Sequence, residues 1–169
     1  MPSHKQIRLF GCDVAALTMD ETVEEVRRIV SARRPSQHIV LNAFKIVMMY
    51  DDPAMAEIVR NCRLISVDGQ SIVLAARFLG KPAPQRVPGI DLMNRLLAEA
   101  EGEGWSVFFL GASPQTLDRF LGVVRERHPN LKVAGARDGY FSRDDEASVA
   151  DMIAESSADV LFVGITSPK

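Results

Sequence analysis

Five short apolar runs in this chain break off at a polar residue or a glycine: His38 to Leu41 before Asn42, Arg63 to Val67 before Asp68, Trp105 to Leu110 before Gly111, Leu131 to Ala136 before Arg137, and Asp159 to Val163 before Gly164. Helical patterns separate them. Strand-length runs that alternate with helices require crossover connections, and crossovers make parallel strands. The expected fold is therefore α/β, a Rossmann-like three-layer sandwich with a largely parallel sheet. In such folds ligands bind in the crevice beyond the carboxyl ends of the strands. Those are the places where this sequence sets its polar residues.

The run Leu64-Ile65-Ser66-Val67 stops at Asp68-Gly69-Gln70, which leaves a carboxylate at a strand end. Asp68 has two readings there, a site carboxylate or a cap for the next helix, since Asp-Gly is also ordinary turn chemistry. Asn42 stands in the same relation to its own strand and has the same alternatives, site residue or N-cap. The two are 26 residues apart, the length of one strand-helix-strand unit, so a right-handed crossover brings both to one edge. The proline-rich stretch Lys81 to Gly89 carries Arg86 and is expected to be irregular. Gly111-Ala112-Ser113-Pro114 places a glycine at a strand end, an N-cap serine and a first-turn proline together, a weak phosphate-cradle signal built on Gly111 and Ser113. Asp138-Gly139-Tyr140-Phe141 repeats the Asp-Gly ending, and its aromatics either stack on a ligand or plug the core edge.

Three helix faces are also assigned. Thr18 to Glu21 has capping-box spacing, followed by a helix with Val23, Val26, Ile29 and Val30 inward and Glu24, Glu25, Arg27 and Arg28 on the other side. A helix begun by Asp52-Pro53 turns Met55, Ile58 and Val59 inward, and the last helix does so with Val149, Met152 and Ile153. Ser71 to Leu79 is apolar almost all round and is expected to be buried.

The bulk properties remove several function classes. At 169 residues, 1–169 reads as a single domain, and a net charge of -2 gives no electrostatic footing for nucleic acid. No apolar run reaches the ~20 residues of a membrane span. Cys12 and Cys62 form no CxxC pair, and His4, His38 and His128 have no ligand spacing, so neither metal nor cofactor is expected. The chain opens without a signal-peptide pattern, and a cytoplasmic location is expected. No GxGxxG fingerprint and no Walker lysine are present.

With these residues in place, the chain resembles the WecG/TagA/CpsF family of bacterial glycosyltransferases from about Arg8 to Lys169. The resemblance rests on the strand ending in Asn42, on Val67-Asp68-Gly69, on Gln85-Arg86-Val87-Pro88-Gly89-Ile90-Asp91-Leu92, on Phe109 to Pro114, on Asp138 to Phe141, and on the closing Pro168-Lys169. It implies an inverting, metal-independent transfer of N-acetylmannosamine or a related sugar from a UDP donor to an undecaprenyl-diphosphate-linked acceptor, in teichoic acid or polysaccharide assembly. It also implies that Asp68 is the catalytic base and that Asn42 and Arg86 lie near the donor, with Gly69, Gln70, Gly111, Ser113, Gly139 and Tyr140 as further substrate-binding positions. A homo-oligomer is compatible with it.

Two departures stand out. Val40 occupies a place where the family often has threonine, and the family's continuation after Pro-Lys, a partly basic region linked to peripheral membrane contact at the inner face, is absent here. A core truncated at its C-terminus is the resulting expectation. The alternative is a non-catalytic UDP-sugar-binding or assembly module that keeps the fold.

Overall fold

The computed structural model describes residues 4–165. The closing Pro168-Lys169 lies outside them. The chain divides into two compact units, with the boundary between Leu92 and Met93.

The first unit opens with an antiparallel hairpin of β1 (Gln6–Leu9) and β2 (Cys12–Ala15). Its turn residues Phe10 and Gly11 both have positive φ, 50° and 75°, the pairing a tight two-residue hairpin requires. The expected capping box is present: Thr18 Oγ1 accepts from the Glu21 N–H, and Glu21 accepts from the Thr18 N–H, at the start of α1 (Met19–Ser31). Next come β3 (His38–Leu41), α2 (Ala43–Asp51), α3 (Pro53–Asn61), β4 (Leu64–Val67) and α4 (Gln70–Phe78), and the boundary falls within the first turn of α5 (Gly89–Glu103). β3 and β4 are parallel, with Leu41 opposite Val67. Leu9, Val14, Leu41, Val59, Val67 and Ile72 meet in one apolar cluster.

The second unit is built on β5 (Ser106–Gly111), the centre of a parallel sheet ordered β6-β5-β7 with β6 (Lys132–Arg137) and β7 (Val160–Gly164). Val107 to Gly111 are buried on both faces, as a central parallel strand must be. Phe109 meets Phe120 of α6 (Pro114–Arg127) edge-on at 5.0 Å and stacks on Phe162 of β7 at 5.7 Å. A 3-10 turn, Arg143–Asp145, leads into α7 (Glu146–Glu155) through a second capping box on Ser142 and Asp145. The fold is α/β and Rossmann-like, with parallel strands in both units.

Several faces differ from the sequence reading. α4 is amphipathic rather than enclosed: Ile72, Val73 and Ala76 are buried, while Leu74, Phe78 and Leu79 face outward. On α3, Ala56 takes the inward place assigned to Ile58, and Met152 on α7 is exposed. β3 is half-buried over His38 to Val40 and fully buried only at Leu41. On α1, Thr22 and Glu25 are buried beside Val23 and Val26. Alternating charge on a helix shows which residues are polar, but not where the rest of the fold closes over them.

Candidate active site

Asp68 is held by its backbone. All four residues of β4 are buried, and the ladder continues one step further as the Asp68 N–H donates to the Leu41 carbonyl at 2.8 Å. Gly69 then turns the chain at φ +136° and starts α4 as its N-cap, with no side-chain cap bond. Among the described residues no N–H of the first turn of α4 donates to the Asp68 carboxylate, so it does not cap that helix. It accepts instead from Arg86 Nε at 3.2 Å.

Arg86 reaches it because the proline-rich segment is irregular except at one point. There Arg86 bridges Val67 in parallel fashion, and the Val87 N–H donates to the Val67 carbonyl at 2.8 Å. Val87 is buried, so this segment is anchored beside the end of β4. The sequence signal for that anchor was an apolar residue between Arg86 and Pro88, which the reading passed over. The Asp68 and Arg86 side chains are 35% and 53% exposed. A pair that open contributes at most about 1 kcal/mol to stability, so its value lies in setting charge and position at a solvent-facing strand end.

Asn42 occupies the matching position after β3. Its Oδ1 accepts from the Lys45 N–H at 2.9 Å, so it is the N-cap of α2. The carboxamide nitrogen has no hydrogen-bond partner among the described residues, so capping and ligand contact are compatible in one side chain. Val40, two residues before it, lies 3.6 Å from where a Cβ on Gly89 would stand, which puts the family-threonine position under the Arg86 segment. Gly69 is half-buried, and Gln70 is exposed at the first position of α4. Asn42, Asp68, Gly69, Gln70 and Arg86 thus belong to one strand-end cluster in the first unit.

The remaining predicted positions lie in the second unit. Gly111 has φ +140°, and a Cβ there would stand 2.3 Å from the Gly164 carbonyl oxygen, so close approach of β7 requires glycine at this position. The Ala112 N–H donates to that same oxygen, and Ser113 Oγ accepts from the Thr116 N–H as the N-cap of α6. With proline at the first helical position, the cradle reading is left with fewer backbone donors than the sequence suggested. Gly139 packs on Gly111, its Cβ position 3.2 Å from the Gly111 Cα, and its N–H donates to the Ala112 carbonyl at 2.9 Å. The Asp138 carboxylate accepts from the Tyr140 N–H at 2.8 Å and pairs with Arg137. The two aromatics divide: Phe141 packs with Phe108, Leu110 and Val149, whereas Tyr140 is exposed.

Among the described residues, no group of three or more His, Cys, Asp or Glu side chains is placed to hold a metal ion. None of their helices is long and apolar enough to cross a membrane.

Comparison with known proteins concerns the chain as a whole. An N-acetylglucosaminyldiphosphoundecaprenol N-acetyl-beta-D-mannosaminyltransferase of Bacillus spizizenii is 32% identical over 117 residues, covering 69% of this chain and 45% of that protein. A Staphylococcus aureus protein of the same name is 28% identical over 166 residues, covering 97% of this chain and 65% of that protein. The chain thus spans between about half and two-thirds of the length of these curated relatives. The profile of the Glycosyl transferase WecG/TagA/CpsF family matches residues 7–169, and the chain belongs to that family.

Proposed function

We propose that this chain is the core of an inverting, metal-independent glycosyltransferase that moves N-acetylmannosamine or a related sugar from a UDP donor to an undecaprenyl-diphosphate-linked acceptor. The observation that carries the reading is the Asp68 carboxylate. It stands at the end of a buried parallel strand, is not used in capping α4, and is held by Arg86. The two relatives' names supply the sugar and the lipid-linked acceptor.

In this reading Asp68 accepts the proton of the acceptor hydroxyl while that oxygen forms its bond to the anomeric carbon. The bond from that carbon to the UDP oxygen breaks with its electron pair, and configuration inverts. Negative charge grows on the leaving diphosphate, and Arg86, which pairs with the base, is the cation that offsets it. Asn42 offers its free carboxamide N–H groups to the donor while remaining the cap of α2. Gly69, Gln70, Gly111, Ser113, Gly139 and Tyr140 remain proposed substrate contacts. Peripheral contact with the inner face of the membrane belongs to the same proposal, since the acceptor is a lipid.

The test is transfer from labelled UDP-N-acetylmannosamine to a lipid-linked N-acetylglucosamine acceptor, together with UDP titration. Asp68→Asn is expected to lower turnover by about 10²- to 10⁴-fold, the usual contribution of a general base, with UDP affinity nearly unchanged. Arg86→Ala is expected to weaken UDP binding about tenfold, the loss of a charge-assisted contact. Normal turnover by Asp68→Asn sinks the base assignment. UDP binding without transfer by the parent protein favours a non-catalytic module.

A further inference from the structure

Glu25 was expected on the solvent side of α1 and is 1% exposed. A buried carboxylate needs partners. Arg28 Nη1 approaches it at 2.8 Å, and His4 Nδ1 lies 3.5 Å from its Oε1. The His4 side chain is only 4% exposed, and neither ring nitrogen makes a hydrogen bond among the described residues. An unsatisfied buried donor or acceptor costs about 1–3 kcal/mol, so the closed-off imidazole is a local cost beside Glu25.

His4 and Glu25 line an open cleft of about 360 Å³ together with Asp13, Arg60, Cys62 and Arg63. The charges there are unevenly paired. Asp13 is held by Arg8 at 3.0 Å and Glu25 by Arg28, but Arg60 and Arg63 have no carboxylate partner among the described residues. Burial raises the pKa of the Cys12 thiol in this region, and the positive charges of Arg60 and Arg8 oppose that rise. The cleft therefore combines a surplus of guanidinium, a buried imidazole without a hydrogen bond, and two carboxylates. Its volume exceeds that of a bare inorganic anion.

The cleft is also separate from the Asp68 site. Arg63 precedes the first residue of β4 and Asp68 follows the last, so the four extended residues of β4 lie between them, a span of about 17 Å, and Ile65, which also lines the cleft, is about 10 Å along the strand from Asp68.

We propose that this cleft is a second ligand site, which takes a phosphate group attached to a hydroxyl-bearing body. Arg60 and Arg63 bind the phosphate as charge-assisted donors, and the half-exposed Asp13 accepts from hydroxyls. A soluble sugar phosphate and a phosphatidylglycerol headgroup share this chemistry. The inference does not depend on the transferase reading of Asp68.

The experiment is an NMR titration of the labelled protein with glucose 6-phosphate, with sedimentation on phosphatidylglycerol or phosphatidylcholine vesicles as a parallel arm. Saturable shifts are expected at the amides of Gly11, Cys62 and Arg63, with those of Asp68 and Gly69 unmoved. Glucose without phosphate is expected to give no saturation. Arg60 and Arg63 are exposed, so Arg60→Ala/Arg63→Ala should remain folded while affinity falls about tenfold or more. Binding confined to phosphatidylglycerol vesicles and lost in the double variant assigns the lipid source, and binding of glucose 6-phosphate assigns the soluble one. The proposal is overturned if neither probe binds, if the double variant binds as well as the parent, or if the shifts cluster at Asp68.

Discussion

His38 offers the most quantitative test of the strand pair that carries the candidate site. Its Nε2 lies 2.9 Å from Ser66 Oγ across β3 and β4, and burial lowers its pKa from 6.5 to about 4. The hydroxyl can donate to a neutral ring or accept from a charged one, so protonation need not break this contact. What it costs is the burial of a charge. A folded pKa below the unfolded one means that the unfolded chain binds the extra proton between those values. Stability is then complete above about pH 6.5 and is lost as pH falls toward 4. A difference of that size corresponds to at most about 3 kcal/mol, an upper bound because the His38 residue is only half-buried, against the ~5–15 kcal/mol that holds a domain together. Glu21, Glu101 and Asp145 have lowered values through hydrogen bonds from the Thr18 N–H, the Asn130 N–H and Ser142 respectively. Their contributions fade as pH falls through the ordinary values of 4.5 for the two glutamates and 3.8 for Asp145, so the two windows meet only at the acid end of the His38 range. Urea unfolding of wild type and His38→Gln between about pH 7 and 4.5 should show wild type losing up to about 1.4 kcal/mol per pH unit. The variant should be nearly flat over the same range. Equal slopes for the two proteins would refute the reasoning.

Two further outcomes follow from close contacts and caps. Gly111→Ala places a methyl against the Gly164 carbonyl at a φ that L-residues rarely adopt, and should cost about 3 kcal/mol or more, seen as a lower melting temperature and weakened β5–β7 amide protection. Asn42→Ala should cost about 1 kcal/mol through the lost cap of α2, whereas Asn42→Asp keeps the cap. Full activity in Asn42→Asp at wild-type stability would remove the carboxamide N–H groups from the donor site.

The polar strand ends were legible because a parallel sheet has only one edge at which such residues can stand. Asn42 and Asp68 follow paired positions of β3 and β4, and the caps at Thr18, Asn42, Asp52 and Ser113 all form where short polar residues precede helical runs. The choice between cap and site carboxylate at Asp68 was not legible, because it turns on where Arg86 arrives, and a proline-rich segment carries no periodic pattern. Glu25 was missed for a different reason. Its neighbours Glu24, Arg27 and Arg28 mark a polar face, and the approach of His4 to Glu25, which is distant in sequence, is not written in that pattern. The outward residues of α4 show the converse: an all-apolar run says that a helix is sticky, but not which side meets the core.

The mounting of Asp68 has a consequence for how this position can vary. Its place is fixed by main-chain bonds, from its own N–H to Leu41 and from Val87 to Val67 next to it, while its side chain caps nothing and is partly open to solvent. Folding therefore asks little of the chemical identity of residue 68. Stability and chemistry can be changed independently there, as on a socket that accepts different tools, and whatever demand exists for a carboxylate comes from the ligand side.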